Sequence, residues 1–186
     1  MQGTRSSRRK RIILLSVAIA LLGVIIFLDQ WTKAYFKDYV LNNGKITLIE
    51  DFFYLTYVVN TGAAWSFLAD VSWGQLLFKI LTPIALVIFI LFYLYAFKKD
   101  YKWLQISLVF IIGGTIGNFI DRLFMSGVID FISFVFGKYQ FPVFNLADSF
   151  LVVGVIMVFV HYLFLDDNAI FRKKDAKKDI SDNQEQ

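Results

Sequence analysis

The groups in this chain that can carry chemistry are carboxylates and amides, and they gather at the ends of apolar runs. Asp29, Asn118, Asp121, Arg122, Asp130, Asn145 and Asp148 all sit at or just beyond such an end. An Asp, Lys or Arg at the centre of a membrane helix costs about 2.5 to 3.5 kcal/mol, so charged groups beside apolar runs call for an explanation. Other chemistries fall away. The chain has no cysteine, which removes thiol nucleophiles, thiolate metal sites and disulfides together. Its single histidine, His161, lies towards the opposite end of its run. A Ser-His-Asp triad needs a histidine beside its nucleophile, and zinc hydrolases usually need more than one. His161 is therefore expected to be a helix residue near the interface, satisfied by a carbonyl or a lipid headgroup. No Gly-rich phosphate loop is present.

The elements that must position these groups follow from hydropathy. The 186 residues are 58% hydrophobic and 18% aromatic, with a mean hydropathy of +0.60, above what a soluble domain of this length carries. Residues 12–28, 76–97, 104–121 and 148–165 form apolar stretches near the ~20 residues needed to cross a bilayer. The expected fold is a membrane all-α architecture of four transmembrane helices, with residues 1–168 as one domain and 169–186 as a charged, solvated tail. No small-residue cleavage site follows the first stretch, so it is expected to stay as a helix instead of leaving as a signal peptide. Between the first and second helices, about 44–68 is dense in β-branched and aromatic residues and opens on the turn signal Asn42-Asn43-Gly44. That pattern predicts a small outward-facing β-sheet platform. Trp31, Tyr35, Phe52, Phe53, Trp65 and Trp73 would rest it at the lipid interface.

Most of the nineteen Lys and Arg residues lie in the N-terminus, the 98–102 link and the tail. By the positive-inside rule both termini are cytoplasmic, and the polar cluster faces outward. The net charge of +4 thus reads as topology, with the anionic inner leaflet as partner and no nucleic acid.

Each polar residue also has a bland reading. Asp29 and Lys33, spaced i, i+4, make a helix-end ion pair. Arg122 directly follows Asp121 and would hold it ionised. Asn145 and Asp148 look like an N-cap with an acid in the first turn of the fourth helix. Gly113 and Gly117 let membrane helices approach closely. Asp130, alone in Val128-Ile129-Asp130-Phe131-Ile132, has no such reading and needs a partner or a role.

Five segments, taken in order, resemble the bacterial lipoprotein signal peptidases, or signal peptidase II. They are Asp29-Gln30-Trp31-Thr32-Lys33, Asn60-Thr61-Gly62-Ala63-Ala64-Trp65, Gly113 through Arg122, Val128-Ile129-Asp130-Phe131, and Phe144-Asn145-Leu146-Ala147-Asp148-Ser149. The resemblance implies an aspartic endopeptidase of the bacterial cytoplasmic membrane. Such an enzyme cuts prolipoproteins before a diacylglyceryl-modified cysteine, at the outer leaflet. It implies a catalytic pair, Asp130 and Asp148, supported by Asp29, Lys33, Asn60, Gly62, Ala64, Asn118, Asp121, Arg122 and Asn145. The implied partners are prolipoprotein substrates and membrane lipids, and the implied state is a monomer. Two close carboxylates do not both ionise easily, so one keeps a proton while the other takes one from water, and no metal or cofactor is then expected. The helix dipole favours a charged Asp148 as base, and the apolar neighbours of Asp130 favour it as the initial acid. A small membrane scaffold, or a proton or ion relay, is the competing reading.

Overall fold

The computed structural model describes residues 2–62, 73–166 and 169, with side chains from residue 9 onward. Four helices are long and apolar enough to cross a membrane. They are α1 (Gln2–Asn43), α2 (Gly74–Lys98), α3 (Lys102–Phe124), and α4 (Leu146–Val160) with its π-helical continuation His161–Leu165. α3 is the buried one, and the other three expose most of their apolar windows, as helices facing lipid do. The first helix runs well past Leu28, to Asn43. Asp29 and Lys33 therefore sit inside a continuous helix and not at its end.

The short link between α2 and α3 ends α2 in a Schellman turn. Tyr101 N–H donates to the Ala96 carbonyl at 3.0 Å and Asp100 N–H to that of Phe97 at 3.3 Å. Asp100 takes the left-handed position at φ 59°. Aspartate tolerates that conformation better than most residues, and the turn makes α2 and α3 neighbours.

Four strands form one sheet in the order β1-β2-β3-β4, all antiparallel, from β1 (Ile46–Ile49), β2 (Phe53–Asn60), β3 (Val128–Phe136) and β4 (Tyr139–Gln140). The expected sheet between α1 and α2 is present as β1 and β2. It is completed by β3 and β4 from the connection between α3 and α4, and β3 carries Asp130. The register fixes where that aspartate points. Leu55 faces Ile132, but Val58 faces Asp130, so the pairing slips by one residue between them. Such a bulge bends the strand and re-aims the side chains beyond it. Beyond it, Asn60 pairs with Val128, placing the Asn60 side chain diagonal to Asp130 on the same face. Phe53 stacks on Phe134 within the sheet at 4.6 Å.

The glycines of α3 hold it against both neighbours. A Cβ on Gly113 would stand 2.6 Å from Ile25 of α1, one on Gly114 would collide with the Ala147 carbonyl of α4, and one on Gly117 with the Asp29 carboxylate. Overpacking of this kind costs about 1–3 kcal/mol. Gly117→Ala is accordingly expected to lower the apparent Tm in detergent and to reduce activity, because the obstructed group is a buried charge. An unchanged Tm, measured by tryptophan fluorescence, would remove the close-packing role.

Candidate active site

Fixing the carboxylates begins with the start of α4. Asn145 caps the helix: its Oδ1 accepts from Asp148 N–H at 2.9 Å, while Asp148 Oδ2 accepts from Asn145 N–H at 3.1 Å. This capping box satisfies otherwise orphaned helix donors and locks the Asp148 rotamer. The same asparagine does a second job. Its Nδ2 donates to Asp130 Oδ1 at 2.7 Å, to Asn118 Oδ1 at 2.9 Å and to the Ile129 carbonyl at 3.2 Å. The cap and the functional reading thus coincide in one residue. Asn145 touches both Asp130 and Asp148 and bridges α4 to β3.

Each carboxylate has a second amide. Asn60 Nδ2 donates to Asp130 Oδ2 at 3.0 Å, and Asn118 Nδ2 donates to Asp148 Oδ1 at 2.7 Å. The partner that Asp130 required is therefore a pair of amides. The two acids differ in environment: Asp130 is 2% exposed and Asp148 only partly buried. Burial, followed by the nearby charge of Asp148, pushes the Asp130 pKa up to about 7, against the opposing effects of Asn60, Asn145 and Lys33. An uncompensated buried carboxylate favours its neutral form for the same reason.

Beneath the pair lies a buried charge cluster. Lys33 Nζ is 2.9 Å from Asp29 Oδ2 and 2.9 Å from Asp121 Oδ2. Asp29 Oδ1 accepts from Ala147 N–H at 2.9 Å, tying α1 to the first turn of α4. Asp121 Oδ2 accepts from Ile129 N–H at 3.0 Å, anchoring the backbone next to Asp130. The expected pairing of Asp121 with Arg122 is not the one formed. Successive helical residues diverge by about 100°, so Asp121 turns to Lys33 while Arg122 turns to the chain that follows β2. Arg122 Nη2 donates to the Gly62 carbonyl at 3.3 Å, and its guanidinium lies 5.0 Å from the Phe78 ring centroid. Gly62 N–H donates in turn to Asn60 Oδ1 at 2.9 Å. With its oxygen engaged there, Asn60 directs its NH2 at Asp130.

Of the expected site residues, Asp29, Lys33, Asn60, Gly62, Asn118, Asp121, Arg122, Asp130, Asn145 and Asp148 thus form one connected network. Ala64 and Trp65 lie outside the described residues, as does the tail apart from Ala169. Two glutamines join the network without having been assigned a role. Gln30 Nε2 donates to Asp29 Oδ2 at 3.0 Å, the Gly117 carbonyl at 3.1 Å and Asp121 Oδ1 at 3.1 Å. Gln75, in the first turn of α2, donates to the Thr61 carbonyl. The signal for Gln30 was its place beside a buried aspartate, whereas Gln75 had none. His161 lies apart from all of this, packed 5.1 Å from the Tyr101 ring. Among the described residues its ring nitrogens have no hydrogen-bond partner, and Asp166 Oδ2 stands 3.8 Å away. The carbonyl expected to satisfy it is not among them.

Residues 21–164 match the family described as signal peptidase (SPase) II. The lipoprotein signal peptidase of Bacillus pumilus is 41% identical over 140 residues, 75% of this chain and 88% of that one. That of Geobacillus thermodenitrificans is 42% identical over 144 residues, 77% of this chain and 88% of that one. That of Listeria welshimeri is 43% identical over 143 residues, 77% of this chain and 90% of that one. Two solved structures, each described as a bacterial membrane enzyme determined by the in meso method, are 31% identical to it. One has a TM-score of 0.62, covering 78% of this chain and 86% of that one. The other has a TM-score of 0.64, covering 81% of this chain and 95% of that one. With a family match that reaches into all four helices and covers the whole polar network, the chain belongs to the signal peptidase II family.

Proposed function

We infer that this protein is a membrane-embedded aspartic endopeptidase that removes signal peptides from prolipoproteins, with Asp130 and Asp148 as its catalytic pair. It cuts on the N-terminal side of a diacylglyceryl-modified cysteine. The observation that carries the assignment of the pair is Asn145, which hydrogen-bonds Asp130 through its side chain and Asp148 through its backbone.

The reaction follows from the two environments. Asp148, ionised, takes a proton from a water molecule whose oxygen attacks the scissile carbonyl carbon. Asp130 gives its proton to the carbonyl oxygen, forming a neutral gem-diol. Collapse returns a proton to Asp130 from that diol as the C–N bond breaks, and Asp148 gives the proton taken from water to the departing amine. Both carboxylates end as they began, so the cycle needs no cofactor.

Location supports the same substrate. The acyl chains of a diacylated cysteine stay in the outer leaflet, and the network lies at one end of the helices where the sheet begins. Trp31, Tyr35, Phe52 and Trp73 are exposed around that end, where aromatic side chains suit the lipid interface. Lys98 and Lys99 lie at the other end of α2, and the N-terminal basic run precedes the apolar part of α1. By the positive-inside rule this orientation puts both termini in the cytoplasm and the site at the outer leaflet of the bacterial cytoplasmic membrane. A monomer suffices, because one chain supplies both carboxylates. The relay and scaffold readings have no observation in their favour.

The test is purified protein in detergent with a diacylated prolipoprotein, the product identified by mass spectrometry. Cleavage directly before the lipidated cysteine is expected. No cleavage of an intact substrate, or cleavage elsewhere, would overturn the function. The pH profile has a definite sign: Asp130 acts as an acid while protonated, so kcat/KM is expected to fall as pH rises through about 7. The limb belongs to the coupled pair. A rate still rising above pH 8, measured at low substrate, would contradict a protonated Asp130 in the resting enzyme.

A further inference from the structure

Lys33 does not touch either catalytic carboxylate, yet its three donors decide how both are held. All three are used: on Asp29 Oδ2 at 2.9 Å, on Asp121 Oδ2 at 2.9 Å and on Asn118 Oδ1 at 3.0 Å. An ammonium group has no lone pair, so the Asn118 amide can face it only oxygen first. That choice propagates in one direction. With Asn118 Oδ1 turned to Lys33, Asn118 Nδ2 is turned to Asp148 Oδ1 at 2.7 Å. The second acceptor site of Asn118 Oδ1 takes Asn145 Nδ2 at 2.9 Å. This presents the Asn145 NH2 to Asp130 Oδ1 at 2.7 Å and leaves Asn145 Oδ1 for Asp148 N–H at 2.9 Å. Flipping either amide would set NH2 against a donor and oxygen against a carboxylate. Lys33 is 1% exposed and Asn145 fully buried, so no water is free to substitute.

We propose that Lys33 is a positioning residue for the reaction. By forcing the direction of the Asn118 amide, and through it that of Asn145, it makes both amides donate to the catalytic pair. This rests on the reading of Asp130 and Asp148 as that pair. The competing role for Lys33 is charge compensation alone, since Asp29 and Asp121 are buried beside it at 0% and 1% exposure. The groups facing it are Asp29 on its own helix and Asp121 and Asn118 on α3. Asp130 on β3 lies within reach of its charge.

Lys33→Met alone strands two buried carboxylates and can unfold the protein, so the test uses charge-balanced variants. Asp29→Asn combined with Lys33→Met keeps the cluster's net charge, with Asp121 as its one remaining ion, and removes the donor to Asn118. Asp29→Asn combined with Lys33→Gln keeps the same charge and a donor at that place. Both are assayed as full-length protein with a diacylated prolipoprotein, with apparent Tm measured alongside. Misplacement of catalytic groups by about 1 Å costs roughly 10²-fold. The Met double variant is therefore expected to show kcat about 10²-fold below the Gln double variant, with KM and Tm alike in the two. Equal kcat values in the two, high or low, would overturn the positioning role and leave charge compensation. Asp148→Asn in the same assay separates the two levels: wild-type cleavage by that variant would overturn the catalytic pair itself.

Discussion

Asp148→Asn and Asp130→Asn are each expected to lower kcat/KM by at least about 10³-fold, the upper range for loss of a positioned acid or base. The two variants should fail differently in detail while both failing in the assay. At position 148 an amide cannot take the proton from water, and it would turn an NH2 towards donors now held by Asn118 and the Asn145 backbone. At position 130 it cannot deliver a proton to the carbonyl oxygen, and it would oppose the NH2 of Asn60 or of Asn145. Folding is checked by Tm and by elution from size-exclusion chromatography. The double variant should be no worse than either single, because the acid and the base act as one unit. Activity within tenfold of wild type in either single variant would remove that residue from the chemistry.

The second large effect falls on Asn145, which performs two tasks that the same substitution separates. Asn145→Ala removes the N-cap of α4, a loss of about 1 kcal/mol in helix stability. It also removes the amide that joins Asp130, Asn118 and the Ile129 carbonyl. Loosening a catalytic pair by an ångström costs about 10²-fold in rate. The activity loss should therefore far exceed what the modest fall in stability accounts for. Asn145→Ser is the informative companion: serine caps a helix about as well but has no NH2 for Asp130. It should restore the part of Tm that the cap supplies and leave kcat low. Recovery of both by Asn145→Ser would reduce Asn145 to a cap.

Much of this site was legible in the sequence because ionisable and amide groups beside long apolar runs are costly and therefore conspicuous. Asp29, Asn118, Asp121, Asp130, Asn145 and Asp148 stood out on that ground, and the Asn145 and Asp148 spacing already described a cap. What hydropathy did not convey was partnership. Asp121 precedes Arg122 in the chain, yet its cation is Lys33 on another helix, because adjacency along a helix is divergence in space. Nor did the pattern reveal that α1 continues to Asn43. Its outer part is too polar for a hydropathy reading, and it packs on the sheet through contacts such as Phe36 on Phe131 at 4.8 Å. β3 went unassigned although Val128–Phe136 is dense in β-branched and aromatic residues. What its composition did not convey was its partner β2, because pairing between segments so distant along the chain leaves no local signature. The bulge that turns Asn60 towards Asp130 is a property of that pairing alone.

That Asp130 holds the shared proton while Asp148 carries the charge is tested most directly by titrating the two carboxyls separately. Protein carrying 13C-labelled aspartate carboxyls, compared with single Asp→Asn variants for assignment, gives each site its own curve. Near pH 6 the proton is expected on Asp130, with its carboxyl titrating at about 7. A proton found mainly on Asp148 at that pH, with Asp130 ionised, would contradict it.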